Sequence, residues 1–453
     1  MPFHRLRSWA RCEVLRAGLM LAALVSSAAP LGAQSLSAEP AAPGAERVFA
    51  GAKPALLQIR TLVREGGRQS SIGSGFLVSA DGLAITNYHV VSQFALEPDS
   101  YLLEYLNADG KRGALALLAI DIAADLAVVK LEVEGAPVHL EFDPASLRGE
   151  VAKGERLYSI GNPLDLGFTI VEGVHNGLVE KSYVERVHFS GAINPGMSGG
   201  PALTESGRVA GINVAKLLSG ELVSFLVPAR YAEQLLRDAQ GKAALSLAEV
   251  RAEISQQLLS WQERLYQQLL ADPSPRVVSF GDYQVEESEL PWFSCWASTN
   301  GDERPKPKVR IQTNRCTMQN GVFIAGDLDT GLVEISFTHA RTRELNDWQF
   351  AHFLSRLYSP GNQRYYDGDR LTASQCHDSF VEGDGERQPP LRALICAQAY
   401  KEFEQLYEVE VAAVTQDQND RALVAKLSMR GVSYPNAMAL AQRFLASVRW
   451  KQP

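Results

Sequence analysis

Residues 192–203 read "AINPGMSGGPAL". One serine, Ser198, stands among three glycines and two prolines, with an Ala-Ile pair before it and an apolar run after. A serine hydroxyl is a weak nucleophile until a neighbouring base takes its proton. The loop is therefore either an ordinary glycine-rich turn or a mount for a reactive alcohol. Gly196-Met197-Ser198-Gly199-Gly200 fits G-x-S-x-G, a pattern also found at the strand-to-helix elbow of α/β hydrolases. That elbow needs a helix directly after the serine, whereas Gly199, Gly200 and Pro201 follow here, then the strand-like "ALTESGRVAGINV". No downstream segment offers an evident Asp and His pair either. The elbow is disfavoured, and partners must be sought upstream.

Upstream lie "AITNYHVV", with His89, and "DIAADLAVVKL", with Asp125. The order His, Asp, Ser is that of the trypsin-type arrangement. Its chemistry needs a neutral imidazole to accept the serine proton. A carboxylate must hold that imidazole in one tautomer and stabilise it once charged. Backbone N–H groups must point at the oxyanion that forms, which favours glycine around the serine; here the donors would be the amides of Gly196 and Ser198. A lone histidine in an apolar strand is ordinarily a packed side chain, Asp125 by itself could simply start a strand, and Asp121 competes for the orienting role.

The surroundings agree with a β fold. From Val48 to Val227 short apolar or alternating runs are broken by Gly, Asn, Asp and Pro, as in "SGFLVSADGLAITN" and "GERLYSIGNP". Asp81-Gly82 between two β-rich runs is a hairpin signal. Many short strands with frequent turns predict an all-β barrel or sandwich.

Four stretches, "GSGFLVSADGLAITNYHVV", "DLAVVKLE", "GNPLDLGFTIVEGVHNGLV" and "AINPGMSGGPALTESGRVAGINVA", together resemble the protease domain of the HtrA/Deg group of trypsin-like serine peptidases, over about residues 48–232. The resemblance implies a double β-barrel with the active site between the barrels. It also implies His89 as general base, Asp125 as its orienter, Ser198 as nucleophile and Gly196 as oxyanion donor. No metal or organic cofactor is implied. Met197 departs from the pattern: the group usually carries a polar residue there, commonly Asn, so how the oxyanion loop is held stays open. The substrate pocket in such folds is lined before the serine and by the strand after it, which points to Ala192, Ile212, Asn213 and Val214. Apolar P1 side chains suit such a lining; Lys216 reads as a solvated surface lysine, with the pocket mouth as its alternative place.

The rest of the chain sets the context. "MPFHRLRSWARCEVLR" followed by the short apolar "AGLMLAALVSSAA" has the order of a secretory signal peptide, with cleavage near Ala33. Removing residues 1–33 moves the formal net charge from −8 to −11. That balance argues against nucleic acid as a partner, and no later apolar run reaches membrane length. The expected location is periplasmic or secreted. Residues 34–47 read as a disordered Pro/Ala-rich leader, 48–235 as the protease domain, and 236–272 as a helical connector in which Ser246 and Glu249 resemble a capping box.

Residues 273–453 read as an α+β domain, with strands such as "LVEISFTHA" and "YEVEVAAV" and helices such as "NDWQFAHFLSRLY". It carries the four cysteines left after processing, Cys295, Cys316, Cys376 and Cys396. In an oxidising compartment these read as two disulfides; three connectivities exist, and proximity favours Cys295–Cys316 with Cys376–Cys396. The aromatic cluster "WFSCW" reads as core packing around one of them. The expected architecture is thus multi-domain, an all-β trypsin-like double barrel joined by helices to an α+β domain.

The expected function is an exported serine endopeptidase acting on polypeptides through an acyl-enzyme. Two other readings use the same residues: a catalytically idle protease-fold scaffold or chaperone-like binding protein, and an esterase. The C-terminal domain is expected to recognise substrate, bind a protein partner or regulate access. Oligomeric state is not legible.

Overall fold

The computed structural model describes residues 43–214, 223–318, 321–359 and 370–451. The predicted signal peptide, residues 34–42 of the predicted leader and Lys216 lie outside the described residues.

The first part of the chain folds into two closed six-stranded barrels. Strands β1 (Leu56–Val63), β2 (Gln69–Leu77), β3 (Leu83–Thr86), β4 (Tyr101–Asn107), β5 (Arg112–Asp121) and β6 (Leu126–Leu131) close in the order β1-β2-β3-β6-β5-β4. Strands β7 (Arg156–Gly161), β8 (Thr169–Leu178), β9 (Val187–Phe189), β10 (Pro201–Leu203), β11 (Val209–Val214) and β12 (Ser224–Pro228) close the second, in the order β10-β11-β12-β9-β8-β7. This is the trypsin-like double barrel. The β2–β3 hairpin turns at Asp81-Gly82 as the sequence predicts, with Ser79 Oγ accepting the Leu83 N–H at 2.9 Å.

Five helices accompany the barrels: α1 (Pro43–Ala52), α2 (Tyr88–Leu96), α3 (Pro144–Arg148), α4 (Ala229–Ala239) and α5 (Leu247–Ala271). Helix α1 corrects the reading of a disordered leader up to residue 47. Ala45, Val48 and Ala52 are buried at helical spacing, so one face of a Pro/Ala-rich stretch packs into the core. Helix α5 begins at the predicted capping box, Ser246 and Glu249 each bonding the other's backbone. Its Val250, Ile254, Leu258, Trp261, Leu265 and Leu269 form one buried stripe.

This helix is more than a spacer. Gln257 bonds the first barrel through Ile120 O at 2.8 Å and Ile122 N at 2.9 Å. One turn later Gln262 accepts from Ser433 N and Asn436 Nδ2 of the C-terminal part at 3.2 and 2.9 Å. The largest cluster of buried apolar side chains runs from Ala45 to Val448 through it.

The C-terminal part is α+β. Strand β14 (Tyr283–Glu287) pairs with β13 (Arg276–Phe280) on one side and with the last strand, β24 (Arg449–Trp450), on the other. A seven-stranded antiparallel sheet runs β15-β16-β19-β23-β22-β21-β20. Its strands are β15 (Phe293–Thr299), β16 (Val309–Met318), β19 (Val333–Thr342), β20 (Gln375–Val381), β21 (Leu391–Ala399), β22 (Tyr407–Thr415) and β23 (Arg421–Val432). Helices α6 (Asp347–Tyr358) and α7 (Tyr434–Ala446) pack on it, and a short hairpin, β17 (Val322–Ala325) and β18 (Leu328–Thr330), projects between β16 and β19.

Cys295 bonds Cys316 and Cys376 bonds Cys396. Each disulfide joins directly opposed residues and ties an edge strand, β15 or β20, to its inner neighbour. Trp292 and Phe293 are buried as expected, but Trp296 is 74% exposed. It lies on β15, the edge strand of the sheet among the described residues.

Candidate active site

His89 lies in the first turn of α2 just after β3, and Asp125 stands in the turn between β5 and β6, the latter pairing with β3 in the barrel. The carboxylate gives both oxygens to His89: Oδ2 lies 2.7 Å from Nδ1, and Oδ1 accepts the His89 backbone N–H at 3.0 Å. This arrangement selects the tautomer with its proton on Nδ1 and leaves Nε2 able to accept one.

Asp125 itself holds a left-handed backbone, φ 63°, which costs a non-glycine residue energy and is sustained only by its surroundings. Two bonds sustain it. Asn87 Nδ2 donates to the Asp125 carbonyl at 2.7 Å. Asp121 Oδ1 accepts the Ala124 N–H at 2.8 Å, closing the turn. Asp121 thus shapes the loop that presents Asp125. Burial raises its pKa, against the lowering effect of that N–H bond. The Arg186 guanidinium, between β8 and β9, feels both carboxylates: withdrawal from water lowers its pKa, while Asp125 and Asp121 raise it.

Ser198 is 4% exposed and sits in the loop between β9 and β10. Ser74 on β2 reaches across from the other barrel to hold this loop. Its N–H donates to the Ser198 carbonyl at 2.7 Å, and its Oγ donates to the Gly196 carbonyl at 2.7 Å while accepting the Asn162 N–H at 2.9 Å. The neighbouring carbonyls are also anchored. Pro195 O accepts from Leu164 N at 3.0 Å, and Met197 O accepts from Gly200 N at 3.1 Å and Asn213 Nδ2 at 3.3 Å. In a trans peptide N–H and C=O point in opposite directions. Tethering the carbonyls of Pro195 and Met197 therefore turns the N–H groups of Gly196 and Ser198 away from those anchors.

Gly196 has φ 96°, and a Cβ there would stand 2.4 Å from Asn162 O, so only glycine fits. The next glycine of the loop brings it against the histidine segment: a Cβ on Gly199 would meet Thr86 Oγ1 at 2.4 Å and Asn87 N at 2.8 Å.

Met197, the departure from the usual pattern, is fully buried. It lies on Gly161, whose missing side chain leaves room for the Met197 Cα, 2.6 Å from where a Cβ would stand. Apolar packing and the Ser74 bonds hold the loop in place of a polar side chain.

Among the residues predicted for the substrate pocket, Ala192 is half-buried just before the serine loop. Ile212 and Val214 lie in the apolar core. Asn213 is buried and turned toward the loop, donating also to Ile160 O at 2.9 Å and accepting from Ser159 Oγ at 2.8 Å.

Two closed barrels with a His–Asp pair on one and a glycine-framed serine loop on the other define a trypsin-like serine peptidase domain. Residues 73–212 match the model of the trypsin-like peptidase domain. The chain is 33% identical over 199 residues to a probable periplasmic serine endoprotease DegP-like of Chlamydia pneumoniae, covering 40% of this chain and 38% of that one. It is 34% identical over 176 residues to the putative serine protease HhoB of Synechocystis, covering 37% and 40%. It is 31% identical over 179 residues to the serine protease HTRA1 of Xenopus tropicalis, covering 38% and 36%.

A crystal structure of the serine endoprotease from Yersinia pestis aligns at 24% identity with a TM-score of 0.38, over 45% of this chain and 69% of that chain. The double barrel is HtrA/Deg-like, with a trypsin-like peptidase domain at residues 73–212. The chain spans about two fifths of the length of the first two relatives.

Proposed function

We propose that this chain is an exported serine endopeptidase that cleaves polypeptides through an acyl-enzyme. Ser198 attacks the scissile carbonyl, His89 takes its proton and returns it to the leaving amine, and Asp125 orients the imidazole and stabilises its charged form. The amides of Gly196 and Ser198 receive the oxyanion. Ala192 lines the pocket for the residue before the scissile bond, with an apolar preference, and the buried strand carrying Ile212, Asn213 and Val214 backs it.

The observation that carries this reading is the two-oxygen grip of Asp125 on His89, at 2.7 and 3.0 Å. A structural histidine has no need of a carboxylate committed at both ends. Export is supported by the pattern of residues 1–33, by two disulfides of a kind that persist in oxidising compartments, and by relatives named as periplasmic. Among the described residues no helix is long and apolar enough to cross a membrane.

Labelling of the purified protein with a fluorophosphonate probe tests the reading. Labelling that disappears in Ser198→Ala and His89→Ala is expected, with casein cleaved in preference to a simple ester. No labelling favours the scaffold, and ester turnover without casein cleavage favours the esterase.

A further inference from the structure

The hairpin β17–β18 comes from the C-terminal part of the chain yet packs against the helix that carries the general base. Phe323 lies edge-to-face with His89, ring centroids 6.1 Å apart at 81°, and also contacts Tyr88 at 6.4 Å. Directly beside this contact the buried Tyr88 hydroxyl donates to the Ile324 carbonyl at 3.0 Å.

The hairpin is bolted down at its other points. Thr330 Oγ1 shares a 2.8 Å hydrogen bond with Tyr400 Oη, and Gly331 N donates to Arg430 O at 3.1 Å. At its tip Asp327 pairs with Arg370, which pairs with Glu402, which pairs with Arg251 of α5. Such a network describes a fixed wall, not a flap. Neither ring is sealed away: the His89 side chain is 27% exposed and Phe323 is half-buried.

Building on the endopeptidase reading above, we propose that Phe323 forms an apolar substrate subsite beside His89, so that the C-terminal domain takes part in choosing a residue flanking the scissile bond. In a productive complex the reacting atoms stand about 3–3.5 Å apart, and the imidazole must serve both the serine and the leaving nitrogen. The side chains next to the scissile bond therefore pass within a few ångströms of the His89 ring. A rigid phenyl ring at 6.1 Å is within their reach. It rewards an apolar side chain there and gives nothing to a charged one.

The test compares Phe323→Ala with the parent protein on a peptide library varied at the two positions around the cleaved bond, alongside the fluorophosphonate labelling rate. The expected result is a loss of about tenfold in kcat/KM for peptides with Leu or Phe at one of those positions. Peptides with Gly or Asp there, and the labelling rate, should change less than about twofold. Phe323→Leu should keep most of the apolar preference, and Phe323→Lys should shift it toward acidic residues. An equal fall for all peptides and for labelling would make Phe323 a mere support for His89 and overturn the subsite. An equal rise would make the hairpin a barrier and overturn it too. A parent protein that never labels would instead overturn the endopeptidase reading itself, and this inference with it.

Discussion

Ser74 Oγ, on the first barrel, donates a 2.7 Å hydrogen bond to the carbonyl of Gly196, on the second. Both barrels thereby share the loop that carries the proposed nucleophile, and the orientation of its amides depends on a side chain far from it in sequence. Ser74→Ala should lower kcat by about 10–100-fold with little change in KM, a smaller loss than deleting an oxyanion donor outright. The Asn162 N–H also loses its acceptor, so stability should fall by about 1–3 kcal/mol. Steady-state kinetics on a cleaved peptide and a urea titration measure the two effects. An unchanged kcat would show that the loop holds itself.

Two carboxylates share the β5–β6 turn, and their bonds separate their roles. Asp125 grips His89, whereas Asp121 accepts the Ala124 N–H. Asp125→Asn keeps the size of the side chain but presents the wrong partner to the imidazole, so kcat should drop by about 10⁴-fold. Asp121→Asn can still accept from Ala124 and should keep activity within about tenfold, since it acts only by shaping the turn. Equal losses in the two variants would return Asp121 to the orienting role it competes for in the sequence.

The legibility of this site follows the range of its interactions. His89, Asp125 and Ser198 are readable because each sits in its own run of flanking residues, and the G-x-S-x-G glycines advertise a backbone that must turn sharply. Ser74 lies within "GSGFLV" and reads there as strand; its bonds to Gly196 and Asn162 form only when two barrels meet. The flanking Gly73 and Gly75 mark close approaches to Val90 and to Ile59 and Ile85, not to the serine loop. Phe323 is less visible still, because a hairpin of a different domain delivers it. Helix α1 hides behind a composition typical of disorder, since what orders it is the barrel surface receiving Ala45, Val48 and Ala52.

Met197 and Gly161 form a matched pair. Gly161→Ala would place a Cβ 2.6 Å from the Met197 Cα, a backbone clash that no rotamer relieves, so the loop must shift. Activity should fall by more than about tenfold, because small displacements of a catalytic geometry are costly. Met197→Ala instead removes a fully buried side chain and should cost about 2–5 kcal/mol of stability. Thermal denaturation and labelling rate together distinguish the two. A Gly161→Ala protein of normal activity would mean that the serine loop tolerates movement.

The disulfides guard both edges of the seven-stranded sheet. Outermost strands β15 and β20 are largely exposed, so little apolar burial holds them in register. Replacing Cys376 and Cys396 together by Ala should cost about 3 kcal/mol in the chain-entropy model. It should also open β20 to proteolysis before the inner strands. The paired change at Cys295 and Cys316 should do the same for β15. Limited proteolysis with mass mapping reads both, and protection of the edges without the bonds would show that strand pairing alone suffices.

His175 gives the fold a pH dependence of defined sign. It is 9% exposed, and its Nδ1 has no hydrogen-bond partner among the described residues. Burial lowers its pKa below the usual histidine value, with the backbone of Ala152 and the charge of Glu155 opposing. Well above the usual histidine pKa of about 6.5 neither folded nor unfolded chain protonates it, and its contribution to stability is complete. As the pH falls further, the unfolded chain takes up a proton that the folded one refuses, so stability is lost down to the depressed folded pKa. The wild-type urea midpoint should therefore drop between about pH 7.5 and about pH 5.5. His175→Gln should drop less over the same interval. The remainder is expected from His339, whose pKa is lowered by burial first and by Arg341 next. Equal drops in the two proteins would show that His175 keeps the same affinity for its proton in both states.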